Sequence, residues 1–431
     1  MITMEALVAA ISARIDVYNQ TDLPQTLRPT IRLPLLESLN HILAVDVAAP
    51  FDVPRQNVSA MDGYAIAKGS SIAKEGKITI IGESQAGRAF IGNLQAGEGV
   101  RIFTGAVVPS DCDRILIQEN TDFASIRHQI DKSKPYDITV TELPSSDDHI
   151  RRQGEEITQG AVVLAAQKRL NPTDISLLAN LGIAEVQVFK PLIVGLLATG
   201  DELVEIGGKL DSLAQIYNSN TPTLKSLLKN LPVTINDYGI IADNKAATMA
   251  AVKRAMKDCD VVISSAGVSV GDYDFLTYVI DEVGKINHYK VAMKPGKPFV
   301  FGELSYELSI PVLYFGLPGN PLSAVVGMLQ LVIPALWQLS GAAKSELPKP
   351  LMFQATVTQD LKKAPGRKDF QRGILSQNAQ GNYEVKGCPN QQSHRIKQLS
   401  DANCLIVLDK DAGNVQAGES VLVQPFAWYY Q

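Results

Sequence analysis

Cysteine is scarce in this sequence. Only four occur in 431 residues, Cys112, Cys259, Cys388 and Cys404, far apart and with no C-x-x-C pair. That pattern argues against a disulfide framework or a cysteine-built zinc site and fits a reducing compartment. A dominant charge is also missing. Lys and Arg number 40 against 45 Asp and Glu, a formal net charge of −5, so the basic face of a general nucleic-acid binder is not expected. The longest apolar run, from Ala324 to Trp337, contains Pro334 and falls short of the roughly 20 residues a spanning helix needs. There is no GxxxxGK[ST] P-loop and no strand-linked GxGxxG, which removes the usual NTPase and dinucleotide readings. The histidines, His41, His128, His149, His288 and His394, are scattered, and no Ser-His-Asp or Cys-His pattern emerges. The opening MITMEALVAAISARI lacks a basic n-region and carries Glu5, which is unlike a signal peptide. The expectation is a cytoplasmic protein with neither membrane nor nucleic acid as partner.

What is present is a chain too long for one core, so two to four domains are expected. Residues 1–50 begin helically, with Leu7, Ile11 and Ile15 at helical spacing. The tail of that stretch reads as a helix leading into a strand. Residues 51–148 alternate short β-rich runs with Gly and Pro turns, as in a small β domain. Residues 149–189 return to mixed character, with a helix start at Asn171-Pro172. The first domain is therefore 1–50 plus 149–189, a mixed N-terminal linker domain with 51–148 inserted into it. Across 190–346, strands alternate with helices, which predicts an α/β domain with a mostly parallel sheet. LPKP at 347–350 is a linker, and 347–431 reads as a small C-terminal β domain, barrel-like. The fold class is multidomain α/β plus β.

The chemistry-bearing turns concentrate at strand ends of the α/β domain, where ligands of such sheets bind. Ser264-Ser265-Ala266-Gly267-Val268-Ser269 follows the apolar run DVVI, and its hydroxyls and N–H groups suit an anion, although an ordinary turn would also explain it. Lys294-Pro295-Gly296-Lys297, with Lys290 just before it, combines charge, stiffness and close approach; the plainer reading is a solvated basic turn. Leu317-Pro318-Gly319-Asn320-Pro321 opens a helix, with Asn320 as expected N-cap and Pro321 at N1; Thr221 is the expected cap before Pro222. Thr199-Gly200-Asp201-Glu202, Asp243 and Asp274 are strand-end acids, either caps or ligands for a hard cation such as Mg²⁺. Earlier, Asp62 with Gly63, Thr104 with Gly105, and the run Arg151-Arg152-Gln153-Gly154-Glu155-Glu156 are individually weak. In the C-terminal region, Arg367 and Arg372 of GRKDFQRG suit bidentate contact to phosphate or carboxylate; a basic hairpin would also account for them.

Ten pieces occur in one order: NVSAMDGYA, RIFTGAVVP, RRQGEEI, ATGDEL, IYNSNTPTL, SSAGVSVGDYDF, KVAMKPGKPFVFG, GLPGNP, GRKDFQRG and SHRIKQLSDANCLIVL. Together they closely resemble the MoeA family of molybdopterin molybdenumtransferases, related to the gephyrin E-domain. The resemblance implies a MogA/MoaB-like α/β domain. It also implies insertion of molybdate into adenylylated molybdopterin, with hydrolytic release of AMP and assistance from Mg²⁺ or another divalent ion. It implies an elongated homodimer whose active site is shared between subunits, and it admits a MogA-like adenylyltransferase as a further partner. By motif position it implies Asp62, Glu202, Asp274, Lys290 and Lys294 as catalytic, and Glu156, Glu202, Asp243 and Asp274 as metal-holding. Thr104, Ser265, Gly267, Ser269, Lys297, Pro318, Gly319, Asn320, Pro321, Arg367 and Ser393 fall to substrate binding. Two other readings are a MogA-like adenylyltransferase, opposed by the extra domains, and a non-enzymatic scaffold, in which these motifs would be superfluous. Ala266 stands where the family usually shows glycine; a positive φ there would cost roughly 1 kcal/mol. Glu156 replaces a common Asp, and Phe275 a common Tyr.

Overall fold

The computed structural model describes residues 1–22, 29–131, 133–143, 148–266 and 275–429. The chain divides into two compact units. One comprises Met1–Val45, Ala166–Ser176 and Ala184–Gln431; the other comprises Asp46–Ala165 and Leu177–Ile183.

The larger unit is built on a six-stranded sheet. Its order is Val233–Ile241, Leu192–Thr199, Val261–Ser265, Val312–Leu317, Pro298–Leu304 and Gly284–Lys290. The first four strands are mutually parallel. Pro298–Leu304 runs antiparallel to both of its neighbours, so Gly284–Lys290 points the same way as the first four. Successive residues of these strands enter two different cores. Val194, Leu196, Val261, Ile263, Leu313 and Phe315 face one; Leu197, Val262, Val312 and Tyr314 face the other. Burial on both faces is why these strands read as unbroken apolar runs.

The opening helix, Met4–Val17, buries Leu7, Ile11 and Ile15 as the spacing predicts, and the Thr3 hydroxyl caps it by accepting from the Ala6 N–H. The expected second helix near residue 35 shrinks to a single 3₁₀ turn, Leu35–Glu37. The helix Pro172–Asn180 starts with a reciprocal cap: Asn171 Oδ1 accepts from the N–H groups of Thr173 and Asp174, and Asp174 Oδ2 accepts from the Asn171 N–H. The helical run Pro321–Leu339 is long and apolar enough to cross a membrane, yet most of it is buried in the protein interior. Its turn widens over Met328–Val332, just ahead of Pro334, because proline offers no N–H and crowds the preceding carbonyl.

The C-terminal strands close on themselves. Lys368–Gln377, Tyr383–Gly387, Phe353–Val357, Ser420–Pro425 and Cys404–Leu408 pair in that order, and the last returns to the first. Closure removes the exposed edges. Val385, Ile406, Val423 and Ala355 fill the interior. A two-residue strand, Met293–Lys294, pairs in parallel with Lys368 and Asp369, tying the basic loop to this barrel.

The smaller unit carries a five-stranded sheet in the order Cys112–Ile117, Gly63–Ala67, Glu98–Ile102, Lys77–Ser84 and Tyr136–Thr139. Tyr64, Ile66, Ile78, Ile80, Leu116 and Ile138 fill the core on one face. Ala65, Val100, Ile102 and Ile115 fill it on the other.

Candidate active site

Register places the predicted loops along one edge of the six-stranded sheet. Thr199 lies opposite Ile241, Ala198 opposite Ser265, Ser265 opposite Leu317, Gly316 opposite Val300, and Lys290 opposite Pro298. The turns after Thr199, Ile241, Ser265, Lys290 and Leu317 therefore leave the same carboxyl edge, where ligands of α/β sheets bind.

Each turn is held by a specific contact. At Gly200, φ is +142°, a backbone conformation that favours glycine, and a Cβ there would lie 2.6 Å from Glu202 Oε2, so the Glu202 carboxylate folds back over the glycine. The Asp243 N–H donates to Asp201 Oδ1 at 3.1 Å, which binds the first acidic turn to the second. Ser265 is buried at its strand end. Ser264 Oγ meets the Tyr314 hydroxyl at 2.5 Å and donates to the Ala266 carbonyl at 3.0 Å; the Ala266 N–H donates to Leu317 O at 3.0 Å. At Ala266 φ is +123°, the glycine-favouring conformation anticipated for this position. Gly267, Ser269 and Asp274 lie outside the described residues.

Pro318 is buried, whereas Gly319 and Asn320 are exposed. Asn320 occupies the N-cap of Pro321–Gly327 with Pro321 opening the helix, as expected, although its side chain makes no capping hydrogen bond. Thr221, by contrast, is not the cap of its helix, Asn220–Leu228. Asn218 does that work, accepting from the Thr221 N–H at 3.2 Å.

The lysines divide into two kinds. Lys290 and Lys297 are exposed. Lys294 Nζ donates to Asp369 Oδ2 at 3.1 Å. The Asp369 side chain is almost wholly buried and also accepts from Gln371 Nε2. The basic loop closes through the Val291 N–H, which donates to Lys297 O at 2.7 Å.

The arginines of GRKDFQRG divide too. Arg367 is half-buried in the turn before its strand. Arg372 is fully buried and donates to the carbonyls of Arg395, Asn390 and Gln392 at 2.8, 2.6 and 3.1 Å. Its guanidinium is spent on the backbone around Ser393, not on an exposed anion site as the motif alone suggested. Burial pulls the Arg372 pKa below its ordinary value.

In the smaller unit, Asp62 and Thr104 meet. Both the Thr104 N–H and its hydroxyl donate to Asp62 Oδ1, each at 2.8 Å. These two bonds hold the Asp62 carboxyl below its ordinary pKa, with a lesser contribution from the charge of Arg101. Glu156 is exposed, with its backbone N–H donating to Val53 O at 3.1 Å. Of the neighbouring charge run, Arg152 pairs with Asp148. Among the described residues no group of three or more His, Cys, Asp or Glu gathers as a metal cage.

Two participants escaped sequence reading. Asp369 carried no signal, because its pairing with Lys294 depends on strands 75 residues apart. Asn220, whose Nδ2 donates to Gly319 O at 2.8 Å, did leave one: IYNSNTP holds two asparagines where one cap suffices.

Comparison with known proteins agrees with this architecture along the whole chain. Family models for the MoeA N-terminal region (domain I and II), a probable molybdopterin binding domain, and the MoeA C-terminal region (domain IV) match residues 2–182, 195–338 and 354–426. The chain is 43% identical over 414 residues to the molybdopterin molybdenumtransferase of Haemophilus influenzae, covering 96% of this chain and 97% of that one. It is 33% identical over 411 residues to the protein of the same name from Staphylococcus aureus, covering 92% and 91%. The chain belongs to the MoeA family. The crystal structure of the molybdopterin biosynthesis MoeA protein from Pyrococcus horikoshii OT3 shares its fold, with a TM-score of 0.76 at 23% identity over 99% of this chain and 100% of that one.

Proposed function

We propose that this protein is a molybdopterin molybdenumtransferase, which inserts molybdate into adenylylated molybdopterin and releases AMP by hydrolysis. The observation that carries the reading is 43% identity over 96% of the chain to a relative of that name. The carboxyl edge suits the chemistry. Both substrates are anionic, and Lys290 and Lys297 present exposed positive charge there. The Lys294 ammonium is held in place by Asp369 and keeps two further N–H donors for an oxyanion. The backbone N–H groups beside Gly319 add fixed dipoles aimed at phosphate oxygens. No protein nucleophile is required, since positioning and electrostatic stabilisation dominate phosphoryl chemistry.

Mg²⁺ fits the acidic turns. It takes one or two carboxylates and completes its shell with substrate phosphate and water, and the carboxylates of Glu202 and Asp243 follow neighbouring strand ends. Asp274 and Glu156 are proposed as further ligands. A bound Mg²⁺ supplies charge neutralisation at the scissile phosphoanhydride. The homodimer is proposed as well, with Asp62 and Thr104 of one subunit completing the site of the other. Ser393 and Arg367 are proposed as further substrate contacts, and the cytoplasm as the compartment.

The test is an AMP-release assay with adenylylated molybdopterin, molybdate and Mg²⁺. Release that depends on molybdate supports the reading. Consumption of ATP with bare molybdopterin would assign the protein to the preceding adenylylation step instead.

A further inference from the structure

The motif Tyr217-Asn218-Ser219-Asn220-Thr221 is only half explained by the helix it opens. Asn218 satisfies the first turn: its Oδ1 accepts from the Thr221 N–H, and its Nδ2 donates to Thr221 Oγ1 at 3.0 Å. Asn220 turns elsewhere. Its Nδ2 donates to the carbonyl of Gly319 at 2.8 Å, 99 residues further on. Among the described residues, its Oδ1 is sealed from solvent and has no hydrogen-bond partner. A buried amide oxygen left unpaired costs stability, so folding alone does not account for this residue.

Planarity of the peptide shows what the contact does. The Gly319 carbonyl and the Asn320 N–H belong to one rigid trans unit and point in opposite directions. Fixing the carbonyl on Asn220 therefore fixes the N–H of Asn320. Neither the Gly319 N–H nor the Asn320 N–H has an acceptor among the described residues, and both residues are exposed at the carboxyl edge. The amide cannot turn over without setting its oxygen against the Gly319 oxygen.

We infer that Asn220 is a positioning residue: it holds the Gly319–Asn320 peptide so that the Asn320 N–H meets an oxyanion of the substrate. This inference rests on the molybdenumtransferase reading for the identity of the substrate, but the orientation of the peptide can be tested without it.

Two variants separate positioning from folding. Asn220→Ala removes both the donor and the unpaired oxygen, so the melting temperature should stay within about 2 °C of wild type, the loss and the relief offsetting each other. Asn220→Asp is nearly isosteric and sets a carboxylate oxygen against the Gly319 carbonyl. Each variant should raise KM for adenylylated molybdopterin about tenfold, as for one lost hydrogen bond to a charged group, and leave kcat within about twofold. Independently of turnover, inorganic phosphate should shift the Asn320 amide resonance of the wild type, and this response should disappear in Asn220→Ala. A wild-type phosphate response in both variants would overturn the inference even if the enzyme proved active. A fall in melting temperature large enough to explain the KM change would also overturn it, leaving Asn220 a structural residue. If wild type releases no AMP but shows the phosphate response and Asn220→Ala loses it, the functional reading fails while the positioning role stands.

Discussion

Two residues show how local chemistry marks this site. Ala266 adopts φ +123°, where a methyl side chain is strained by roughly 1–2 kcal/mol. Ala266→Gly relieves that strain but gives the unfolded chain more freedom, which offsets about 0.4–1 kcal/mol. Urea unfolding should therefore find the glycine variant more stable, by up to about 1.6 kcal/mol; a less stable variant would show that the methyl makes compensating contacts. Asp62 offers a pH test. Its folded-state pKa is depressed, chiefly by the Thr104 N–H and hydroxyl. The favourable contacts of its carboxylate are therefore fully present above the ordinary Asp pKa of about 3.9. They are lost as pH falls through the lower folded value. Thr104→Val keeps the backbone donor and removes the hydroxyl, so a carboxyl NMR titration should show the Asp62 pKa rising part of the way toward the ordinary value. An unchanged midpoint would remove the hydroxyl from the account.

At the scale of elements, the basic loop is the informative case. Met293–Lys294 is recruited into pairing with Lys368 and Asp369, and the Lys294–Asp369 contact is built at that seam. Lys294→Ala leaves the buried Asp369 carboxylate without its cation. It should cost about 1–3 kcal/mol of stability in addition to activity. Lys290→Ala and Lys297→Ala remove exposed charges, so they should change stability by no more than about 0.5 kcal/mol while lowering activity. Denaturant midpoints measured beside turnover would separate the two classes; equal stability losses in all three would contradict the division. Much of this element-level structure was legible in sequence. Strands buried on both faces show as apolar runs, the opening helix shows in Leu7, Ile11 and Ile15, and Gly200 and Gly296 mark turns that need positive φ. The Asp369 contact was not legible, nor was the inward turn of Arg372, because both depend on pairings between distant strands. Thr221 was misread as a cap, since composition reports which residues can cap and not which neighbour, here Asn218, reaches the N–H first.

For the whole molecule, the proposal joins acidic residues of the smaller unit to the basic edge of the larger one through a second subunit. If Asp62→Ala and Lys290→Ala are each inactive, mixing them under subunit exchange should regenerate intact sites in the mixed dimers, restoring roughly a quarter of wild-type activity for random pairing. No recovery would place both residues in a site made by one chain. Chelation by EDTA should reduce AMP release, and added Mg²⁺ should restore it; release indifferent to EDTA would remove the divalent ion from the proposal. The most direct test of the central claim is AMP release by purified protein from adenylylated molybdopterin, with and without molybdate in the presence of Mg²⁺, with the product passed to an apo-molybdoenzyme. The account predicts molybdate-dependent AMP release and activation of that enzyme. Absence of AMP release, or AMP release yielding a product that does not activate it, would contradict the account.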